Sequence, residues 1–528
     1  MKPGLGGEIE SRGNAEMTTV KTDSGDVAGR NEGGLCVFKG IPFAEPPVGA
    51  LRFRPPVPCS TWEGALNATE FGASPPQLRA ELAPRLSEFM AEDCLTVNVW
   101  TPGCDAVSRP VMVWIYGGSF LIGSSSRDVC DGANLAANGD VVVVSMNYRV
   151  GALGFLHLEE VGGSEFAGSC NVGLLDQIAA LEWVQRNVAA FGGDPDNVTV
   201  FGVSAGGISI SALLAIPAAR GLFRKAITQS GAANQTRSVA SAATASRQFR
   251  EAAGADSVNA LQALSLEEVL DAQKRVLAAS SKPDAFFGPV VDGTLIPEPP
   301  MHAIAAGRAA DVPLMTGTTL DEMRYWLVTD PAVANIDAER LERALSKMLG
   351  KSAQGLLGAY EQSLPDSSDA ERRMSILGDL NFTIPAIRML EGHLPHQSKV
   401  WMYLFTWASP AHDGKLGSPH AIEQPFVFGT FDSLFAEAFE VAGPACAELS
   451  DQVQEAWVSF ARHGDPSHEG LPNWPAYDLE SRNVMVFDTP CSCVADPHAG
   501  VRGEWDAVPF DGLRPPIGIR PGHVDDQA

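Results

Sequence analysis

A serine set among glycines, two adjacent carboxylates and a histidine, far apart along the chain, have the types and order to do chemistry together. The serine is Ser204, in Gly202-Val203-Ser204-Ala205-Gly206. An alternating apolar run from Val198 to Phe201 precedes it, and Ile208, Leu213, Leu214 and Ile216 suit a helix ending before Pro217. Strand, sharp turn and helix in that order lift a hydroxyl onto a strained corner, where glycines are needed because neighbouring side chains would collide. A helix beginning beside the serine also aims backbone N–H groups and its dipole at an anion formed there.

Near neutral pH a serine hydroxyl is a poor nucleophile. It needs a base, and the base needs an acid to fix its tautomer and stabilise its charged form. On doubly wound sheets these partners come in the order Ser, then Asp or Glu, then His, on loops at the carboxyl ends of strands. After an apolar strand predicted at Val312 to Thr316 comes a turn bearing both Asp321 and Glu322, either of which can be the acid. After a strand predicted at Trp401 to Thr406, the stretch Gly417-Ser-Pro-His420 offers the base. Gly117-Gly118, following the strand at Val111 to Tyr116, can join the N–H of Ala205 as donors to a tetrahedral oxyanion, although a glycine pair also serves simply to end a strand.

The elements that must hold these groups are legible as a parallel sheet. Val111–Tyr116 and Val141–Met146 are unbroken apolar runs, and Asp176 to Phe191 carries a helical apolar stripe that stops at Gly192-Gly193. Glu92 to Trp100 alternates as a strand, and Ala226 to Gly231 is a further short strand ending in a turn. Residues 235–280 and 330–395 are helical insertions near the site, and 450–463 is a helix. The proline-rich stretch from Phe38 to Pro56 is expected to be an ordered loop, with Arg52 paired where partly buried. The reading is α/β: a large, mostly parallel sheet with helices on both faces, in one domain over 1–528, with loose tails at 1–16 and 511–528.

Bulk composition narrows the function classes. With 45% apolar and 19% charged residues over 528 positions, the chain can bury a large core. A net charge of −26 argues against nucleic-acid partners, which require a basic face. No stretch approaches the roughly 18 uninterrupted apolar residues of a membrane span. No apolar segment follows Met1, so no secretory signal is visible and a cytoplasmic location is expected, with removal of an upstream piece left open. Nine scattered cysteines read as buried thiols, no metal motif is present, and no cofactor is implied. His393 and His396 flank a proline and read as loop.

Several longer motifs now stand in order: Phe38-Lys-Gly-Ile-Pro-Phe-Ala, Glu92-Asp-Cys-Leu, Tyr116-Gly-Gly-Ser-Phe, Asn147-Tyr-Arg-Val-Gly-Ala-Leu-Gly-Phe-Leu, Phe191-Gly-Gly-Asp-Pro and Gly202-Val-Ser-Ala-Gly-Gly. From about residue 20 to about 508 the chain resembles the type-B carboxylesterase family of α/β-hydrolases. The resemblance implies Ser204 as nucleophile, Glu322 rather than Asp321 as acid, His420 as base, and Gly117, Gly118 and Ala205 as oxyanion hole. It places Ser230 close to the acid. It also exposes departures: Val203 stands where the family usually has Glu, Tyr116 where it usually has His, and Pro76-Gln77 lacks the cysteine that pairs with the Glu-Asp-Cys-Leu motif in secreted members.

The implied reaction is hydrolysis of a small, uncharged, partly apolar ester through an acyl-enzyme. Phe120, Leu121, Phe286, Phe287, Trp326, Phe382 and Trp407 are candidate pocket residues, while His412 and Glu423, flanking the base, read as solvated loop residues. An amide or carbamate hydrolase with the same triad and a non-catalytic binding protein on this fold are the rival readings. Oligomeric state is not legible.

Overall fold

The structure, a computed structural model, describes residues 17–78, 89–280, 286–329, 338–350, 352–433, 435–443 and 445–508. Both predicted tails and part of the second helical insertion, 330–337 and 351, lie outside these residues.

One 13-stranded sheet organises the chain. Across it run Met17–Lys21, Asp26–Glu32, Leu35–Pro42, Thr96–Thr101, Val142–Met146, Arg109–Ile115, Gly193–Val203, Lys225–Gln229, Leu314–Thr319, Val400–Phe405, Asn483–Phe487 and Ser492–Ala495, with Ala65–Asn67 beside Asp26–Glu32. From Val142–Met146 to Asn483–Phe487 every neighbouring pair is parallel. The flanking strands are antiparallel except Ala65–Asn67, which runs parallel to Asp26–Glu32. Every residue of Arg109–Ile115, Val142–Met146, Lys225–Gln229 and Val400–Phe405 is buried, and burial on both faces is why Val111–Ile115, Val142–Met146 and Val400–Phe405 read as nearly continuous rather than alternating apolar runs. Helices Val172–Asn187, Ala205–Leu213 and Ala445–His463 pack around it. Trp114 anchors the middle, its ring 4.9 Å from both Phe201 and Phe428.

Because the central strands are parallel, the residues just past their carboxyl ends come to one edge: Tyr116, Ser204, Ser230 and the turn after Thr319. That edge is where doubly wound sheets place their sites.

The expectation of a loop over Phe38–Pro56 is corrected in its first residues. Leu35–Pro42 is a strand paired on both sides. Prolines enter this stretch only at Pro42, the last strand residue, and a register shift between Phe38 and Ile41 takes up the irregularity, with Gly40 at φ +72°. Beyond it, Arg52 is paired as expected: Nε and Nη2 meet Glu92 at 2.7 and 2.5 Å, and Nη1 donates to the carbonyls of Leu261, Gln262 and Leu264. The proline-rich loop is thereby tied to the first insertion, which forms helices Val239–Ala253, Val258–Ala263 and Leu266–Ala279. In the second insertion a π-helical turn, Asp379–Thr383, precedes Ile384–His393. His393 closes that helix rather than lying in the loop, with Nε2 2.9 Å from the Val312 carbonyl. All nine cysteines are free thiols, and Cys94 is fully buried.

Candidate active site

The Gly193–Val203 strand delivers Ser204 directly into the Ala205–Leu213 helix. Ser204 takes φ +56° and ψ −123°, a conformation costly for a residue with a side chain, and its N–H donates to the Gln229 carbonyl at 2.8 Å. Gly206 explains the glycine requirement: a Cβ there would sit 2.0 Å from the Ile115 carbonyl oxygen. The corner is therefore strained, clamped to the adjacent strand and closed to larger residues.

Of the two carboxylates after Leu314–Thr319, only one turns toward the histidine. Glu322 is buried; its Oε1 accepts from Ser230 Oγ at 2.5 Å and from the Thr319 N–H at 2.9 Å, and its Oε2 lies 2.5 Å from His420 Nδ1. Asp321 does other work, accepting from the Ser418 N–H at 3.0 Å and from Arg324 at 3.2 Å. It thus fixes the loop that carries the base. Burial pushes the His420 imidazole toward its neutral form, but the Glu322 charge and hydrogen bond, aided by Glu423, outweigh it and raise the pKa above its ordinary value. The Phe382 and Trp326 rings lie 4.7 and 6.0 Å from the imidazole.

Ser204 and His420 are not joined by a hydrogen bond among the described residues. Nucleophile–base bonds commonly tighten only when substrate is bound.

Gly117 lies against the serine: a Cβ on it would be 3.0 Å from Ser204 Cβ and 2.5 Å from the Val203 carbonyl oxygen. Gly118, at φ +128°, turns the chain, and its carbonyl accepts from the N–H groups of Leu121 and Ile122. Ala205 is the first residue of its helix, where N–H groups have no intrahelical acceptor.

The other predicted pocket residues divide. Phe120 packs edge-on against Phe155 at 5.1 Å and borders Gly288, next to the Phe286–Phe287 pair. Leu121 packs against the core. Trp407 lies in an aromatic cluster with Phe426 and Phe439, and no ring contact joins it to His420 among the described residues. A cavity of about 460 Å³ is lined by Glu322, Met374, Tyr360, Asp379 and His498, behind the acid and without Ser204 or His420 in its wall.

One residue is corrected outright. His412 is exposed as expected, but Glu423 is 0% exposed. Its Oε1 meets Gln229 Nε2 at 3.4 Å and its Oε2 has no partner among the described residues. Burial, followed by the Glu322 charge, raises this carboxyl to about 7. Gln229 also clamps the Ser204 N–H, so Glu423 reaches the serine corner through one side chain. Sequence spacing hides this because the loop folds inward where helix Gln424–Phe428 begins. Val203, at the position usually acidic in the resembling family, is buried among apolar residues.

Comparison with known proteins completes the picture. A family-wide sequence model described as "Carboxylesterase family" matches residues 16–499. The chain belongs to the carboxylesterase family. As a carboxylesterase it hydrolyses carboxylic esters, and the family acts on small-molecule esters. It is 42% identical over 490 residues to the para-nitrobenzyl esterase of Bacillus subtilis (strain 168), covering 92% of this chain and 97% of that protein. It is 36% identical over 482 residues to the phenmedipham hydrolase of Pseudarthrobacter oxydans, covering 88% and 94%. Among solved structures, the Geobacillus stearothermophilus carboxylesterase EST55 superposes with a TM-score of 0.85 at 36% identity, covering 92% of this chain and all of that one. A PNB esterase structure gives 0.83 at 40%, with coverage of 92% and 99%. No described helix of this carboxylesterase is long and apolar enough to cross a membrane.

Proposed function

We propose that this carboxylesterase works through Ser204 as nucleophile, His420 as general base and Glu322 as the acid that orients it, with Gly117, Gly118 and Ala205 as oxyanion donors. The hydrogen bond between Glu322 Oε2 and His420 Nδ1 carries the reading, since it leaves Nε2 as the ring nitrogen free to take a proton. His420 takes the Ser204 proton as Oγ attacks the ester carbonyl, and the tetrahedral oxyanion rests on the three N–H groups. The imidazolium formed is stabilised by Glu322, which Ser230 and Thr319 hold in place. Protonated by His420, the alcohol leaves an acyl-Ser204, and water then repeats the sequence with the acid released.

The aromatic rings beside the imidazole favour an uncharged, partly apolar ester. The same triad cleaves esters more readily than amides because the alkoxide is the better leaving group. Ser204→Ala is expected to lower kcat for a short-chain nitrophenyl ester by roughly 10⁴- to 10⁶-fold, leaving what the oxyanion donors and binding supply. Near-normal turnover by that variant would refute the assignment.

A further inference from the structure

Two of the nine cysteines lie against each other at the edge of the sheet opposite Ser204. Cys36 stands in the Leu35–Pro42 strand, paired with Asn31 on one side and Thr101 on the other. Cys104 follows three residues after Thr101, and its thiol is in hydrogen-bond contact with the thiol of Cys36. Both residues are partly exposed, so a small reagent can reach them.

The topology places this pair away from the chemistry. Thr96–Thr101 runs antiparallel to Val142–Met146, with Val97 beside Met146 and Trp100 beside Val143, so Thr101 lies at the amino ends of the parallel strands. Its hydroxyl donates to the Phe191 carbonyl at 2.8 Å, just before the Gly193–Val203 strand begins, and Ser204 follows the far end of that strand. Both cysteine backbones are already fixed. Cys36 sits in a ladder on both sides, while the turn to Cys104 is closed by the Gly103 N–H donating to the Thr101 hydroxyl at 3.2 Å and by Arg109 Nη1 donating to Asp105 at 2.6 Å. For the sulfurs to close to about 2.0 Å, the side chains must turn while the strands stay where they are.

We propose that Cys36 and Cys104 form a reversible disulfide under peroxide, a staple between the amino-terminal strands and the central sheet. The Cys36 thiolate attacks one oxygen of hydrogen peroxide, the O–O bond breaks, and the departing hydroxide takes up the proton Cys36 released, leaving a sulfenic acid. The Cys104 sulfur then attacks the Cys36 sulfur, the S–O bond breaks, and the second hydroxide leaves with the Cys104 proton. Two thiols and one peroxide thus become one disulfide and two waters. Burial first, and then Cys36 itself, push the Cys104 thiol up to about 12, which suits it to the second step, where its target is already at hand. Met17–Lys21 and Asp26–Glu32 reach the rest of the sheet through the strand that carries Cys36, so the link holds that whole edge. Closing a loop of about 70 residues in the unfolded chain is expected to raise Tm by about 4 °C at this chain length.

The test treats the full-length enzyme with hydrogen peroxide, alkylates the remaining thiols, digests without reductant and maps linked peptides by mass spectrometry. Melting curves and nitrophenyl-ester kinetics are taken on the same samples. The expected result is a link from Cys36 to Cys104 that dithiothreitol removes, with Tm raised by about 4 °C and kcat within about 1.5-fold of the reduced enzyme. Cys36→Ser and Cys104→Ser should each melt near the reduced wild type and show no rise with peroxide. Both thiols still open to alkylation after peroxide, sulfinic acid at either cysteine in place of the link, or a link from either one to a different cysteine would overturn the proposal. So would a peroxide-driven rise in Tm that persists in the serine variants, or a link that leaves Tm unmoved.

Discussion

Replacing Glu423 by glutamine should flatten the pH dependence of this carboxylesterase's stability. The carboxyl is fully buried, one oxygen meets Gln229 Nε2 at 3.4 Å, and among the described residues the other has no side-chain or backbone partner. Burial first, and the nearby Glu322 charge second, raise its pKa from 4.5 to about 7. A carboxyl that binds its proton more tightly when folded stabilises the fold in the protonated form; that contribution is complete below 4.5 and is lost as pH rises through about 7. At about 1.4 kcal/mol for each tenfold change in proton affinity, the loss is about 3 kcal/mol. With unfolding entropy of about 2 cal/mol/K per residue, a chain of this length shifts its Tm by about 1 °C per kcal/mol, so Glu423 alone accounts for a fall of about 3 °C. Glutamine has the same shape and no proton to lose. Glu423→Gln should therefore melt close to wild type near pH 5 and about 3 °C above it at pH 8, measured at one scan rate across the series. The same substitution removes a negative charge that helps raise the His420 pKa, so the rising limb of kcat/KM should move to lower pH. Melting curves that stay parallel across the pH range, with an unmoved limb, would refute this account of the buried carboxyl.

Two further outcomes follow from the same geometry. In the wild type, kcat/KM for a neutral ester should rise with pH through a group above the ordinary imidazole value of 6.5, because His420 must be neutral to accept the serine proton and Glu322 favours its charged form; a flat profile from about pH 5 to 9 would contradict it. Asp176→Asn removes the charge from a buried pair and leaves the Arg149 guanidinium, whose side chain is 3% exposed, without its counterion. Urea or thermal unfolding should register a loss of about 3–5 kcal/mol, and a variant as stable as wild type would show that the Arg149 charge is compensated elsewhere.

How far the sequence foretold this site depends on whether the information was local. Ser204 was legible because a nucleophile corner needs a strand, glycines and a helix within a dozen residues, all contiguous in the chain. The turn after Thr319 was legible by topology, but choosing Glu322 over Asp321 required the family resemblance; in space one carboxylate meets His420 and its neighbour pins the Ser418 backbone. Buried apolar strands were visible by their unbroken runs, with ends displaced by up to three residues. The strand at Leu35–Pro42 was obscured by prolines that mostly follow it. Glu423 was misread because an acidic residue three positions after a loop histidine has no local mark of burial; only the packing of the Gln424–Phe428 helix decides it. Trp407 and Phe382 were indistinguishable as large apolar residues, yet one joins the Phe426–Phe439 cluster and the other, on a π-helical turn, faces the imidazole.

Everything mechanistic here rests on Ser204 being the group that attacks. The direct measurement is to react the wild-type enzyme with a fluorophosphonate, digest it, and locate the adduct by mass spectrometry while following loss of esterase activity. A single adduct on the peptide containing Ser204, formed in step with inactivation and absent from Ser204→Ala, is the predicted result. Complete inactivation with the label on another residue, or full activity retained after Ser204 is modified, would contradict the account.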